Sequence, residues 1–160
     1  MPLLRPADRF PSLNVARAGG GSLTLPDEFD GSCGVLLFYR GSWCPYCNAQ
    51  LRLFQRAADG LAAVDAKVAA LSVDDEATTR ELIAKHQLTF SIGHSADAAA
   101  ISAATGAFVD PAGRYLQSTG FVLDPGGRVI VSVYSSGPIG RLLPDDVIGL
   151  IRYIREHAAA

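Results

Sequence analysis

Residues 34–47, GVLLFYRGSWCPYC, carry the clearest signal of the fold in this chain. It begins as an unbroken apolar run, passes through a Gly-Ser turn, and ends with Cys44 and Cys47, which are separated by two residues. An apolar run bounded by glycine predicts a buried β-strand, and the residues from Pro45 onward predict a helix. Both thiols are therefore expected where a central strand passes into the N-terminus of a helix.

That position favours thiol chemistry. The first backbone N–H groups of a helix lack intrahelical partners, and the aligned peptide dipoles add partial positive charge there. Both effects stabilise a thiolate and lower a cysteine pKa from about 8.5 to roughly 3.5–7.5. Pro45 suits the first helical turn, where its missing N–H is not needed. We expect Cys44 to be the nucleophile and Cys47, one helical turn later, to close a disulfide with it.

Several neighbours of the pair have two interpretations each. Arg40 is either a solvated surface residue or a cation that stabilises the Cys44 thiolate, and its proximity favours the second. Trp43 either packs against the strand or forms a docking surface for a partner disulfide, and Tyr46 is expected to be exposed and to extend that surface. Cys33 is either a small loop residue without redox duty or a resolving or intermolecular thiol.

Length and composition indicate a globular protein with a single domain over residues 1–160. Apolar residues make up 49% of the chain and charged residues 19%, which is enough apolar side chain for a proper core. A formal net charge of −2 without a basic stripe argues against nucleic-acid binding. No apolar run approaches the roughly 18 residues of a membrane span. The first six residues lack an apolar signal region, which predicts a cytoplasmic location.

The spacing of the two cysteines is also compatible with a zinc site or with a pair of buried core thiols. Zinc needs four ligands, so Cys33 and one of the three histidines would have to complete the set. No second pair of residues has ligand spacing, and a core pair requires neither the preceding turn nor Pro45. In a reducing compartment this spacing is more often redox-active than structural. The sequence therefore predicts no metal and no cofactor.

The rest of the chain alternates between strands and helices. Apolar periodicity and turn residues predict strands over 10–15, 22–25, 64–73, 88–92, 120–123 and 128–134, and helices over 45–59, 74–86, 96–104 and from 144 onward. Residues 26–34 are expected to form a loop, Gly60 to end the first helix, and Asp74 and Asp75 to cap the second. The order predicts an α/β protein of the thioredoxin-like fold, with a central mixed β-sheet flanked by helices on both faces.

With this order, residues 38–47 and 121–129 resemble the peroxiredoxin-like group of the thioredoxin superfamily, the alkyl hydroperoxide reductase/thiol-specific antioxidant (AhpC/TSA) family. The resemblance covers nearly the whole chain. Peroxiredoxins carry a Pro-x-x-x-Thr-x-x-Cys signature whose cysteine attacks peroxide. On this chain the cysteine of that signature falls on Cys47, its threonine on Cys44 and its proline on Arg40. The arginine of the family falls near Ser118, so its guanidinium is expected to be missing, whereas thioredoxins place the attacking residue at Cys44.

The first functional hypothesis is a thiol–disulfide oxidoreductase. Cys44 would attack a disulfide, Cys47 would resolve the mixed disulfide, and an external thiol reductant such as thioredoxin, glutathione or a similar low-molecular-weight thiol would reopen the pair. The alternative is a thiol peroxidase that reduces hydrogen or alkyl peroxides through a cysteine sulfenic acid. A third hypothesis is a redox-sensing binding module without turnover. A homodimer is compatible with all three.

Overall fold

The computed structural model describes residues 3–157, so the predicted domain limits at 1 and 160 lie outside it. Within that range the chain forms seven strands, five α-helices and a 3-10 helix at Asp27–Phe29. The strands are β1 (Leu13–Arg17), β2 (Ser22–Leu25), β3 (Cys33–Phe38), β4 (Ala66–Leu71), β5 (Ser91–His94), β6 (Thr119–Leu123) and β7 (Val129–Tyr134). The helices are α1 (Pro45–Arg56), α2 (Ala58–Ala63), α3 (Glu76–His86), α4 (Ala98–Thr105) and α5 (Pro144–His157). No helix among these residues is both long and apolar enough to cross a lipid bilayer.

The seven strands lie in one sheet, in the order β2-β1-β5-β4-β3-β6-β7. β3, β4 and β5 run parallel to one another, because helical crossovers connect them. β6 pairs antiparallel with β3, and β7 returns beside β6 through the turn at 124–127. β1 and β2 form a hairpin across the glycine-rich residues 18–21, and β1 joins β5 antiparallel. The predicted mixed sheet with a parallel centre is therefore confirmed.

β3 is buried along its whole length because helices cover both faces of the sheet. On one face, Leu37 belongs to the same apolar cluster as Leu51 of α1. On the other face, Phe38 belongs to a cluster that includes Ile101 of α4, and its ring meets that of Phe121 edge-on at 5.6 Å. Alternating side chains of one strand thus anchor both layers of the protein. The carboxyl end of β3, which leads to the cysteine pair, is therefore packed against apolar side chains on both faces of the sheet.

Two predicted boundaries on the amino side of the sheet and in the first helix were wrong. Cys33 is not in a loop: it is the first residue of β3, where its N–H donates to the Asp65 carbonyl at 3.2 Å. Gly60 does not end the first helix but lies inside α2. The first helix ends at Arg56, and Ala57, with φ −87° and ψ 8°, separates it from α2. This change of direction buries Leu61 in the core.

The strand predicted at 88–92 is displaced toward the C-terminus and occupies Ser91–His94. Gln87 ends α3 in the left-handed conformation, with φ 53°. The N–H of Leu88 then donates to the Ile83 carbonyl at 3.1 Å, and the Leu88 side chain is buried against the helix layer. The apolar residue that suggested a strand therefore belongs to the end of the helix.

Candidate active site

The cysteine pair lies where β3 gives way to α1. Cys44 is the N-cap residue of α1, and its sulfur accepts a hydrogen bond from the Cys47 backbone N–H at 3.2 Å. Pro45 occupies the first helical turn, where no N–H is required. The Cys47 thiol points back at Cys44, and the two sulfurs are 2.6 Å apart. Both thiols are free, and neither residue has any surface open to solvent.

Arg40 contacts both cysteines. Its backbone N–H donates to the Cys47 sulfur at 3.3 Å, and its Nη1 lies 3.8 Å from the Cys44 sulfur. The side chain is held in place at its other nitrogens, where Nε donates to Gln117 at 3.0 Å and Nη2 donates to the Tyr115 hydroxyl at 3.1 Å. A guanidinium fixed at three points keeps its charge beside the sulfurs without further loss of entropy.

A second guanidinium, from Arg141, reaches the pair from the loop between β7 and α5. Its Nη2 lies 3.1 Å from the Cys47 sulfur and 3.7 Å from the Cys44 sulfur. Its Nη1 donates to Gln50 Oε1 at 2.9 Å, and the amide nitrogen of Gln50 donates to the Leu142 carbonyl at 2.9 Å. Gln50 is buried on α1, one turn after Cys47, so one amide holds both the arginine and its loop.

Arg141 was not singled out from the sequence. The expectation that the pair has no second guanidinium beside it was wrong. Ser118, near the position where the family arginine was expected, uses its backbone carbonyl to accept the Ser135 N–H at 3.0 Å. The cation comes instead from a segment that is 94 residues from Cys47 along the chain. The only local signal was a single arginine in the Gly- and Pro-containing segment 137–141 just before a predicted helix.

The charges around the pair favour one anion, and they favour it at Cys44. Burial by itself would raise the pKa of Cys44. The hydrogen bonds from the Cys47 thiol, the Cys47 N–H and Arg40, together with the charge of Arg141, outweigh burial and lower that pKa. The pKa of Cys47 is raised by burial of its thiol and by the hydrogen bond that this thiol donates to Cys44. Cys44 is therefore the first of the two thiols to lose its proton, and the neutral Cys47 thiol then donates a hydrogen bond to the Cys44 thiolate.

Trp43 and Tyr46 flank the pair on the outside. Trp43 is 55% exposed and Tyr46 is 53% exposed, so both large rings face solvent. The Trp43 ring meets the Tyr115 ring edge-on at 5.0 Å, and the Arg40 guanidinium lies 4.8 Å from the Trp43 ring centre. The predicted exposure of Tyr46 agrees with this position. The docking role of both rings stays a prediction.

The turn before Cys44 is tied to the neighbouring crossover by Asp74. Its Oδ2 accepts the Ser42 N–H at 2.8 Å, and the Asn48 amide donates to the Ser42 carbonyl at 2.9 Å. The prediction that Asp74 caps α3 was wrong, because Asp75 alone fills that position by accepting the Thr78 N–H. Burial raises the pKa of Asp74, although the Ser42 N–H opposes the shift. Asp74 thus fixes the turn that precedes Cys44.

The remaining candidate ligands lie apart from the pair. Cys33 is at the opposite end of β3, where burial raises its pKa. His94 ends β5, with its ring next to Ser95 and Glu76. In the part of the chain that the structure describes, no three His, Cys, Asp or Glu side chains are grouped to hold a metal ion. The groups that meet at the cysteine pair are the two thiols and the guanidinium groups of Arg40 and Arg141.

Tyr39, the residue before Arg40, is expected to make stability depend on pH. Its hydroxyl is fully buried, and burial raises its pKa from 10.0 to about 12 although Ser72 and Thr79 oppose the shift. A raised pKa contributes stability below pH 10 that is lost as the pH rises toward 12. We expect the free energy of unfolding of the wild type, relative to Tyr39→Phe, to fall by about 2 kcal/mol between pH 9 and pH 11.5. Urea titrations at both pH values measure it, and an unchanged difference would show that burial of the phenol does not shift its ionisation.

Comparisons with known proteins identify the family and the fold. The family model described as "AhpC/TSA family" matches residues 6–132. A peroxiredoxin of Methanothermobacter thermautotrophicus is 34% identical over 74 residues, an alignment that spans 46% of this chain and only 34% of that protein. The solved structure of peroxidoxin BcpB from Mycobacterium tuberculosis has a TM-score of 0.82 at 19% identity, covering 95% of this chain and 99% of that one. AhpC from the same organism has a TM-score of 0.79 at 21% identity, covering 96% and 99%. The chain therefore belongs to the AhpC/TSA family, the peroxiredoxin-like group of thiol-dependent oxidoreductases within the thioredoxin superfamily.

Proposed function

We propose that this protein is a thiol peroxidase in which the Cys44 thiolate attacks peroxide and Cys47 resolves the product. The observation that carries the proposal is the convergence of two guanidinium groups on one buried pair of sulfurs. A peroxide bond breaks with negative charge developing on the leaving oxygen, and fixed cations stabilise such charge most strongly where water is excluded. Membership of the AhpC/TSA family supports the same reaction.

The reaction balances with the groups present. The Cys44 thiolate attacks one peroxide oxygen, the O–O bond breaks, and the sulfur becomes a sulfenic acid while the other oxygen leaves as hydroxide or alkoxide and takes a proton. Cys47, 2.6 Å away, then attacks the sulfenic sulfur and forms a disulfide with release of water. Two electrons pass from the thiol pair to the peroxide. An external thiol reductant, of the thioredoxin or low-molecular-weight class, then supplies two electrons that reduce the Cys44–Cys47 disulfide.

Burial of the pair favours peroxide over disulfide as the oxidant. Attack on a disulfide requires the thiolate to approach one sulfur in line with the bond that breaks. In a protein disulfide, the backbone on either side of each cysteine must also fit next to the thiolate. Cys44 and Cys47 have no exposed surface, so such a substrate does not reach them without rearrangement of the turn. Hydrogen peroxide also has no open path to these sulfurs, but because it is nearly as small as water it needs only a small side-chain movement to reach them. Disulfide reduction is therefore the second candidate, supported by the direct C-x-x-C match.

Stopped-flow oxidation of the reduced protein tests the proposal, with the fluorescence of Trp43 as the signal because the chain has one tryptophan. We expect hydrogen peroxide to oxidise the pair at least about 100-fold faster than it oxidises a free thiol of the same pKa, since each fixed donor at the leaving oxygen is worth that much. A protein disulfide such as that of insulin should react far more slowly. Fast reaction with insulin, together with free-thiol behaviour toward peroxide, would establish the disulfide reductase instead.

A further inference from the structure

Arg40 is held by two neutral oxygen atoms and by no carboxylate. Its Nε donates to Gln117 Oε1 at 3.0 Å, and its Nη2 donates to the Tyr115 hydroxyl at 3.1 Å. Among residues 3–157, no ion pair joins the guanidinium to an Asp or Glu side chain. Arginine pairs most strongly with carboxylates, so their absence here is informative. The Nη1 of Arg40, 3.8 Å from the Cys44 sulfur, carries a charge that no carboxylate offsets.

Neutral acceptors have a specific consequence for the thiolate. A carboxylate in place of either oxygen would hold the guanidinium more tightly, but its negative charge would offset that of the guanidinium and repel a thiolate at Cys44. An amide or phenol oxygen fixes the position of Arg40 through a hydrogen bond and adds no net charge. Because arginine only donates hydrogen bonds, the Gln117 amide has to present its oxygen. The full positive charge of Arg40 is then left for the sulfur.

Both acceptor residues are themselves fixed by backbone hydrogen bonds. Gln117 is buried, its N–H donates to the Phe108 carbonyl at 2.8 Å, and its carbonyl accepts the Thr119 hydroxyl at 3.0 Å. The Tyr115 N–H donates to the Asp110 carboxylate at 3.0 Å, and the Tyr115 carbonyl accepts the Asp110 N–H at 3.0 Å. The two oxygens are therefore in place before Arg40 binds them.

The acidic residue of the same segment is bound elsewhere. Asp110 is the one Asp or Glu in residues 107–123. Its buried carboxylate accepts the backbone N–H groups of Ala112, Arg114 and Tyr115, and it pairs with the Arg114 Nε at 3.0 Å. Asp110 thus orders the turn that presents Tyr115, and it forms no ion pair with Arg40.

Arg141, the second guanidinium at the cysteine pair, is held in the same way. Its Nη1 donates to Gln50 Oε1 at 2.9 Å, and its Nε donates to the Pro138 carbonyl at 3.0 Å. In the described part of the chain, no carboxylate forms an ion pair with Arg141 either. Both cations that reach the sulfurs are therefore positioned by neutral oxygen atoms.

We propose that Gln117 and Tyr115 are positioning residues that act through Arg40, an inference that rests on the peroxidase function above. They fix the guanidinium beside Cys44 and, because they are neutral, leave its charge to stabilise the thiolate and the leaving oxygen. Their side chains bind Arg40 and not the sulfurs. The neutrality of position 117 is then as necessary as its hydrogen bond.

Two substitutions at one position separate charge from hydrogen bonding. Gln117→Met removes the acceptor at similar volume, and Gln117→Glu keeps the acceptor but adds a negative charge. The thiolate at Cys44 is followed by its ultraviolet absorbance against pH, as the difference from the same protein carrying Cys44→Ser. Below the wild-type midpoint, we expect about threefold less thiolate in Gln117→Met and about tenfold less in Gln117→Glu. A residue that only positions Arg40 gives the opposite order, with Gln117→Glu equal to the wild type, and that result would overturn the proposal.

The matched control is Gln55→Glu. Gln55 also lies on a hydrogen-bonded surface, where its Oε1 accepts the Thr89 N–H at 2.8 Å, but it is eight residues after Cys47 on α1, about 12 Å along the helix. The same added charge there should leave the thiolate titration unchanged. Tyr115→Phe removes only the second acceptor and should lower the thiolate fraction about threefold at unchanged thermal stability. An unchanged titration in Tyr115→Phe would overturn the role of Tyr115, whether or not Gln117→Glu folds.

The titration contains no peroxide, so it is independent of the peroxidase itself. Stopped-flow oxidation by hydrogen peroxide of the same variants should follow the same order as their thiolate fractions. Unchanged titrations beside fast peroxide reduction would overturn the positioning role alone. The expected titrations beside a wild-type protein that reacts with peroxide only as a free thiol does would overturn the peroxidase and leave the two residues as determinants of Cys44 acidity.

Discussion

Replacing Cys44 with serine should abolish the reaction with hydrogen peroxide. The hydroxyl of serine stays protonated at any pH the protein tolerates, so the anion that attacks the peroxide is lost although the N-cap of α1 is kept. Stopped-flow traces should show the residual rate of an ordinary thiol, and turnover with an external thiol should be undetectable. Because the pKa of Cys44 is lowered, the wild-type rate should reach its plateau below pH 9.0 and fall as the pH drops through the lowered value.

The matched variant is Cys47→Ser. Its hydroxyl still donates toward Cys44, and its backbone N–H is unchanged, so the first oxidation should stay within about tenfold of the wild-type rate. Turnover should stop after one equivalent of peroxide, with a sulfenic acid that a trapping reagent labels, because no neighbouring thiol resolves it. If Cys47→Ser loses the fast phase and Cys44→Ser retains it, the attacking residue is Cys47, the position that corresponds to the peroxiredoxin signature.

Replacing Arg141 with glutamine should slow peroxide reduction by about 100-fold, the usual cost of removing one fixed donor from developing negative charge. Two effects contribute. The charge of Arg141 lowers the pKa of Cys44, so its loss leaves less thiolate at neutral pH. Its Nη2 also lies within 4 Å of both sulfurs, close enough to donate to the leaving oxygen of a peroxide that Cys44 attacks. The second-order rate constant for peroxide should fall, and the pH plateau should move to a higher pH.

Two further variants separate charge from loop structure. Arg141→Lys keeps the charge but not the two-pronged contact with Gln50 and Cys47, so its rate should lie between those of the wild type and Arg141→Gln. Arg152→Gln removes an exposed arginine from the helix that follows the same loop and should change nothing. Thermal unfolding of all three should report whether the loop stays folded. An Arg141→Gln protein with normal stability and a normal rate would show that the second guanidinium has no catalytic role.

Most of the fold was predictable because its determinants are local. The apolar run at β3, the Pro45 start of α1, the Asp124-Pro125-Gly126-Gly127 turn and the Gly106 end of α4 each depend on residues within a few positions. The errors also have local causes. Ala57 interrupts a helix without being a residue that commonly ends one, and Leu88 is an apolar residue that packs after a left-handed turn.

The position of the two thiols, at the passage from a buried strand to a helix N-terminus, is encoded locally, because spacing and turn chemistry act over a few residues. The groups that surround the thiols are set by long-range packing. Arg141 and Tyr115 come from segments about 70 to 95 residues away in the chain, and Asp74 takes the Ser42 N–H instead of capping its own helix. Such contacts depend on the packing of distant loops at one edge of the sheet, and no local pattern encodes a distance between loops. That packing also buries both sulfurs completely, which is why the protein is proposed to act on peroxides and not on protein disulfides.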